Sequence, residues 1–338
     1  MSRHGGLRFT GAIGAGLAVL AGLGAVAQSV ATRRDAREYP PPGVLVDVGG
    51  CRLHLNIQGE NVQGDDIEGD GPAAVLEAGM GSFSSNWYWV QSELAKTMRV
   101  VSYDRAGLGW SERGHRPRDA ATLARELHTA LHAAGVHGPY VLAGHSFGGL
   151  PVRAFAGLFP DEIAGLVLVD ASHPDQWLRW PVRHADRMIA TSQRVSAVLA
   201  RVGLLRVVDL SRQLSVGLPE RQVAELRARS ALPGASAVEA EQMDAWPESR
   251  EQLPPSLGDL PLVVLGVTDQ PRGAATLTEL QSELPSLSTN SARRVVQGAT
   301  HEALVARREH AMVVADAIRA VAAGEPARIL AAVPRGAG

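Results

Sequence analysis

The chain has 338 residues, enough for one large α/β domain or two ordinary ones. Its 33 basic and 35 acidic side chains leave a net charge of −2 with no basic excess, which excludes a general nucleic-acid binder. An apolar share of 45% against 20% charged excludes an acidic disordered protein. The single cysteine, Cys51, excludes internal disulfides and thiolate metal clusters.

In chain order, Arg3 and Arg8 precede nineteen uncharged residues, Phe9 to Ala27, and Arg33, Arg34 and Arg37 follow. At 1.5 Å per residue such a run spans roughly the 30 Å core of a bilayer. It therefore reads as a membrane anchor. Ala25-Val26-Ala27 also fits a signal-peptide cleavage site, which would make the mature protein secreted. A loose alanine- and glycine-rich helix is the third reading. Pro40-Pro41-Pro42-Gly43 is a stiff spacer, so 1–42 is expected to stand apart from the soluble domain.

Two alternating runs, 44–48 and 51–57, flank Gly49-Gly50 and predict a hairpin. Residues 59–71 hold five acids and four glycines, a solvated loop without the spacing of a calcium-binding EF-hand. Strands are predicted at 73–77, 98–103, 139–144, 165–170, 260–266 and 293–297. Helices are predicted at 86–96, 119–134 (Leu123, Leu127 and Leu131 on one face), 147–158 and 308–323. Near-continuous Val/Leu strands alternating with helices mean a mostly parallel sheet covered on both faces. The stretch 171–259 is helical, broken by prolines and too long for a loop. It is expected to form a cap over the carboxyl ends of the strands, where ligands bind in such sheets. The expected core is 43–170 with 260–325, followed by a tail at 326–338.

Gly144-His145-Ser146-Phe147-Gly148 matches G-x-S-x-G between a buried strand and a helix, the context that a nucleophile elbow requires. Small flanking residues admit the strained turn, and the helix N-terminus puts partial positive charge beside the serine. With this elbow, the segments LEAGMGS (76–82), YDRAGLGWSE (103–112), GHSFGG (144–149) and GATH (298–301) resemble an α/β-hydrolase-fold serine hydrolase. The resemblance covers roughly 43–323. More narrowly, the chain is similar to a bacterial subgroup with an N-terminal apolar segment, a PPPG linker and a VLVDASH strand end.

The resemblance implies an α/β-hydrolase fold, mostly parallel with helices on both faces and an inserted helical cap. It implies Ser146 as nucleophile and, in the family's chain order, a late histidine as base, which His301 satisfies. Two aspartates compete to orient that imidazole: Asp269, closing Gly266-x-x-Asp269, and Asp170, ending the VLVD strand. The VLVDASH similarity favours Asp170. By position, the backbone N–H groups of Phe147 and Met80 form the oxyanion hole, although relatives with His-Gly differ from Ala78-Gly79 here. Asp104, Arg105 and Gly107 are expected to brace their loop. Gly79, His145, Trp87 and Trp177 are candidate pocket residues, with core packing an equal reading for Trp87.

The expected reaction is two-step acyl transfer on a small or medium, apolar, ester-like small molecule. A serine nucleophile argues against the dehalogenase and epoxide hydrolase branches, which use aspartate. No cofactor or metal is implied, since HExxH, paired cysteines and a dinucleotide fingerprint are all missing from the sequence. Amide or peptide hydrolysis and carbon–carbon cleavage are alternatives on the same triad. A non-catalytic ligand-binding member of the fold is the alternative of another class.

Overall fold

The computed structural model describes residues 4–59, 71–208, 210–212, 214–268 and 275–331. The acidic stretch and Asp269 thus lie wholly or largely outside the described residues. Eight strands form one sheet: β1 (Val44–Asp47), β2 (Arg52–Gln58), β3 (Ala73–Glu77), β4 (Val100–Tyr103), β5 (Tyr140–His145), β6 (Ile163–Val169), β7 (Leu262–Val267) and β8 (Ser291–Val296). Their order is β1-β2-β4-β3-β5-β6-β7-β8. The hairpin β1–β2 is antiparallel and joins β4 antiparallel, while every pairing from β4 through β8 is parallel.

The helices are α1 (His4–Glu38), α2 (Tyr88–Leu94), α3 (Ala120–Ala133), α4 (Gly149–Leu158), α5 (Gln176–Arg179), α6 (Ala185–Arg201), α7 (Glu220–Ser230), α8 (Pro233–Asp244), α9 (Trp246–Glu251), α10 (Ala275–Glu283), α11 (Ala303–Ala306), α12 (Arg308–Ala322) and α13 (Arg328–Ala331). The strand period explains the layers. Val75, Leu142, Leu166, Leu168 and Val264 bury into one core with Leu123, Leu127 and Leu131 of α3. Their sequence neighbours Leu76, Val141, Val167 and Val263 bury into the opposite core with Val314 and Ile318 of α12. Apolar side chains on both faces explain why these strands read as continuous hydrophobic runs.

The predicted helix at 86–96 is two pieces, a 3-10 turn over Ser84–Trp87 and then α2. Between β6 and β7 the chain forms α5 to α9, the expected helical insertion.

The N-terminal segment departs from the expectation of a separate spacer. Gln28 of α1 is buried and donates to the Ala231 carbonyl at 3.0 Å. Arg206 of the insertion reaches back to Gln28 and to Asp35, each at 2.6 Å. The Tyr39 carbonyl accepts from Trp110 Nε1 (2.8 Å) and from Arg229 (2.7 Å). The C-terminal part of α1 is thus built onto the insertion, while Val19, Leu20, Leu23, Val26 and Val30 stay exposed. Among the described residues, no helix is long and apolar enough to cross a membrane. Glycines 11, 14, 16, 22 and 24 dilute the apolar run, and the anchor expectation gains no support here.

Candidate active site

The parallel strands deliver three polar residues to their carboxyl ends. β5 ends at His145 and the chain turns through Ser146 into a 3-10 turn (Ser146–Gly148) that leads into α4. Ser146 takes φ of +53°, a left-handed conformation that costs a non-glycine residue on the order of 1–3 kcal/mol. The turn closes only because its flanks are bare. A Cβ on Gly144 would lie 2.5 Å from the Gly148 carbonyl oxygen, and one on Gly148 would lie 2.6 Å from that of Glu77.

Asp170 follows β6 directly and is also left-handed, with φ of +43°. Its N–H donates to the Leu265 carbonyl at 2.7 Å, and two residues on, the Ser172 N–H donates to the Ser146 carbonyl at 2.9 Å. These bonds tie the two strained turns to each other and to β7. His301 follows β8 and turns its Nδ1 to Asp170 Oδ2 at 2.5 Å. A carboxylate only accepts, so Nδ1 carries the hydrogen and Nε2 keeps a free lone pair. Burial works against the charged imidazolium, but the Asp170 bond and charge outweigh it and hold the His301 pKa above its ordinary value. Burial likewise opposes the charged Asp170, yet the His301 bond, with help from the Gln281 amide, keeps that carboxyl below its ordinary value.

His145 is buried, and its ring lies 4.6 Å from the His301 ring. Its Nε2 donates to the His301 carbonyl at 3.1 Å. Burial, with His301 nearby, lowers its pKa to about 3, so it is neutral and serves to hold the His301 loop. Among the described residues, Ser146 Oγ has no hydrogen-bond partner; in such sites this bond commonly tightens only when a ligand is bound.

The loop after β3 lies against the elbow. A Cβ on Gly79 would sit 3.2 Å from Ser146 Cβ and 3.0 Å from His145 Nδ1. Among the described residues the Met80 N–H has no hydrogen-bond partner. The loop is braced from below by Arg105, buried against Glu77, which also accepts from the Tyr103 hydroxyl. The guanidinium donates to the Ala78 (2.5 Å) and Gly79 (2.7 Å) carbonyls and lies 5.2 Å from the centre of the Phe147 ring. Burial pushes the Glu77 carboxyl up against the pull of Arg105 and Tyr103. Asp104 braces the following loop, accepting from His54 Nδ1 (2.9 Å) and from the Ser84 and Trp110 N–H groups (2.8 Å each). A Cβ on Gly107 would meet Val238 of α8 at 2.5 Å.

The insertion supplies the roof. Trp246 lies 5.8 Å from the Phe147 ring and 5.5 Å from Trp177. Met80 packs against the same cluster as Met243 and Trp246. Glu239 of α8 brings its carboxyl against Gly81, 3.2 Å from where a Cβ would stand. Burial raises its pKa to about 7, with Arg105 opposing. Trp87 is fully buried with its ring edge-on to His145 at 6.4 Å, so it is a core side chain behind the site and does not line a pocket.

The structure thus brings together Ser146, His301, Asp170, Phe147, Met80, Gly79 and His145, with Trp177 in the roof. Sequence reasoning missed Gln281, Glu239 and Trp246. Gln281 and Glu239 lie in helices without a clear apolar stripe, so their polar residues gave no sign of facing inward. The Arg105–Glu77 pair was visible only as half of a loop motif.

The sequence profile described as the alpha/beta hydrolase fold matches residues 74–256, more than half of the chain. The chain is similar to an AB hydrolase superfamily protein of Gibberella zeae, 36% identical over 107 residues, covering 30% of this chain and 33% of that one. It is similar to epoxide hydrolase 4 of Homo sapiens, 26% identical over 173 residues, 47% of this chain and 45% of that one. The chain spans less than half the length of these curated relatives. Among solved structures, a thermophilic esterase from Thermogutta terrifontis superposes with a TM-score of 0.60 at 19% identity, over 82% of this chain and 98% of that one. With the profile covering more than half of its length and an eight-stranded, mostly parallel sheet, the chain belongs to the α/β-hydrolase-fold family.

Proposed function

We propose that the protein is a serine hydrolase that cleaves a small or medium, apolar ester through an acyl-enzyme on Ser146. The observation that carries this reading is the 2.5 Å bond between the part-exposed His301 ring and the buried Asp170 carboxylate, set at the strand ends beside the strained Ser146 turn. Strained non-glycine turns such as that of Ser146 cluster at functional sites.

In this reading His301 Nε2 takes the Ser146 proton as Oγ attacks the ester carbonyl. The backbone N–H groups of Phe147 and Met80 hold the oxyanion, each worth about 10²–10³ in turnover. His301 then gives the proton to the departing alcohol and activates the water that clears the acyl group. Asp170 stays ionised and stabilises the imidazolium. The aromatic and methionine roof (Trp246, Trp177, Met243) favours an apolar substrate. A serine at the elbow sets this reading apart from epoxide opening, which the family performs with aspartate.

A p-nitrophenyl phosphonate tests it. Ser146 Oγ forms a bond to phosphorus as p-nitrophenolate leaves, so one equivalent of p-nitrophenol per chain and a mass increase on the Ser146 peptide are expected. Ser146→Ala should show neither. A folded wild-type protein that releases no p-nitrophenol with either phosphonates or esters would support a ligand-binding role for the fold instead.

A further inference from the structure

We propose that a second site, at the amino-terminal end of β6 and so at the opposite end of the strands from Ser146, binds a divalent zinc ion through His128, His132 and Glu162. His128 and His132 stand four residues apart on α3 and therefore share one face of the helix. Glu162 ends the 3-10 turn Pro160–Glu162 that feeds β6, and it faces both imidazoles. Its Oε1 lies 2.8 Å from His128 Nε2 and its Oε2 lies 2.9 Å from His132 Nε2. One ligand atom from each of the three residues lies within 4.8 Å of the others. A tetrahedral zinc ion with ligands at about 2.0–2.1 Å holds neighbouring donor atoms about 3.3 Å apart, a spacing that lies between the histidine–carboxylate contacts here and the 4.8 Å span of the cluster.

The surroundings resemble a built ligand set more than a chance surface cluster. The His128 ring stacks on Phe159 with centroids 3.8 Å apart and 7° between planes, which fixes its orientation. The His132 ring is 4.2 Å from that of His128 and 5.0 Å from that of His137, so its own orientation is fixed by neighbours on both sides. Two imidazoles and a carboxylate suit zinc better than magnesium or calcium, which favour all-oxygen shells. The donors are partly exposed, which gives the ion an entry path.

Position decides the role. Glu162 precedes β6 and Asp170 follows it, so the length of a strand, about 25 Å, separates this cluster from Ser146. The ion would clamp α3 to the start of β6 and stabilise the fold without touching the reaction.

The test uses the full chain, purified with chelator and titrated with zinc chloride by calorimetry and thermal melting. One ion per chain and a rise in Tm are expected. His132→Ala and Glu162→Gln should each weaken binding by about tenfold or more and abolish the rise, with ester turnover unchanged. Cobalt(II) gives a second readout, a visible absorption band that zinc bleaches and that His132→Ala removes. Three results would each overturn the proposal. The first is no saturable zinc binding. The second is binding unaffected by His132→Ala. The third is zinc that inhibits ester turnover equally in wild type and His132→Ala, which would put the ion on the His145–His301 pair.

Discussion

Replacing Asp170 with asparagine isolates one charge and one hydrogen-bond direction with almost no change in volume. The imidazolium that forms on His301 during turnover sits 2.5 Å, N to O, from a carboxylate that is buried to 3% exposure. At an effective dielectric of about 20, two unit charges some 4 Å apart interact by about 4 kcal/mol. A tenfold change in rate corresponds to about 1.4 kcal/mol, so losing that stabilisation costs about three decades in kcat. The asparagine NH₂ can also face Nδ1, which moves the imidazole hydrogen to Nε2 and removes the lone pair that Ser146 needs. The expected loss is therefore about 10³–10⁴, carried by kcat with little change in KM.

Because Asp170 holds the His301 pKa above the ordinary 6.5, wild-type activity should rise with pH through a midpoint above 6.5. The residual activity of Asp170→Asn should rise at lower pH. Initial rates on p-nitrophenyl butyrate from pH 5 to 9, with circular dichroism to verify folding, measure both effects. Asp269→Asn is the control and should stay within about threefold of wild type. A folded Asp170→Asn variant that keeps more than a tenth of wild-type kcat, or a larger loss in Asp269→Asn, refutes the assignment of the acid.

Glu239 predicts a pH-dependent stability. Its carboxyl titrates at about 7 folded and near the ordinary 4.5 unfolded, so the native state holds the proton more tightly. Stability is then highest below pH 4.5 and falls as pH rises through 7, by about 3 kcal/mol in all. Glu239→Gln should match wild type near pH 4.5 and exceed it at pH 8 in urea unfolding; equal curves at pH 8 would contradict the buried setting of this carboxyl. Arg105→Ala leaves Glu77 as a buried charge without its partner and frees the Ala78–Gly79 loop, so it should cost roughly 3–5 kcal/mol in stability and lower kcat. Gly148→Ala drives a methyl against the Glu77 and Ala78 carbonyl oxygens (2.6 and 2.8 Å), and should cost about 1–3 kcal/mol together with a loss of phosphonate labelling. Labelling at the wild-type rate would show that the elbow tolerates the shift.

Local pattern alone determined the layered α/β architecture. Val/Leu runs such as LVLV in β6 can be buried on both faces only in a covered parallel sheet, and G-x-S-x-G between a strand and a helix marks one place in the chain. His301 was legible because it follows a strand by a few residues and precedes the last helices. Sequence position left Asp170 and Asp269 both open, and only the VLVDASH similarity favoured Asp170; Asp269 lies outside the described residues. What the fold adds is that the Asp170 turn is tied to the Ser146 turn by the Ser172 bond and that Asp170 meets the His301 ring. Nor could sequence place Glu239, Trp246 or Gln281, because which side chain turns inward depends on how α8 docks over Gly81 and Gly107, how α9 packs over Phe147, and how α10 lies against the end of β6. The docking of α1 escaped the sequence reading for the same reason. Its apolar run resembles a membrane segment, while the residues that attach it to the insertion, Gln28 and Asp35, are polar and find partners more than 170 positions away. Periodicity is a property of neighbours along the chain, whereas a site is a property of strand ends that only the folded sheet brings together.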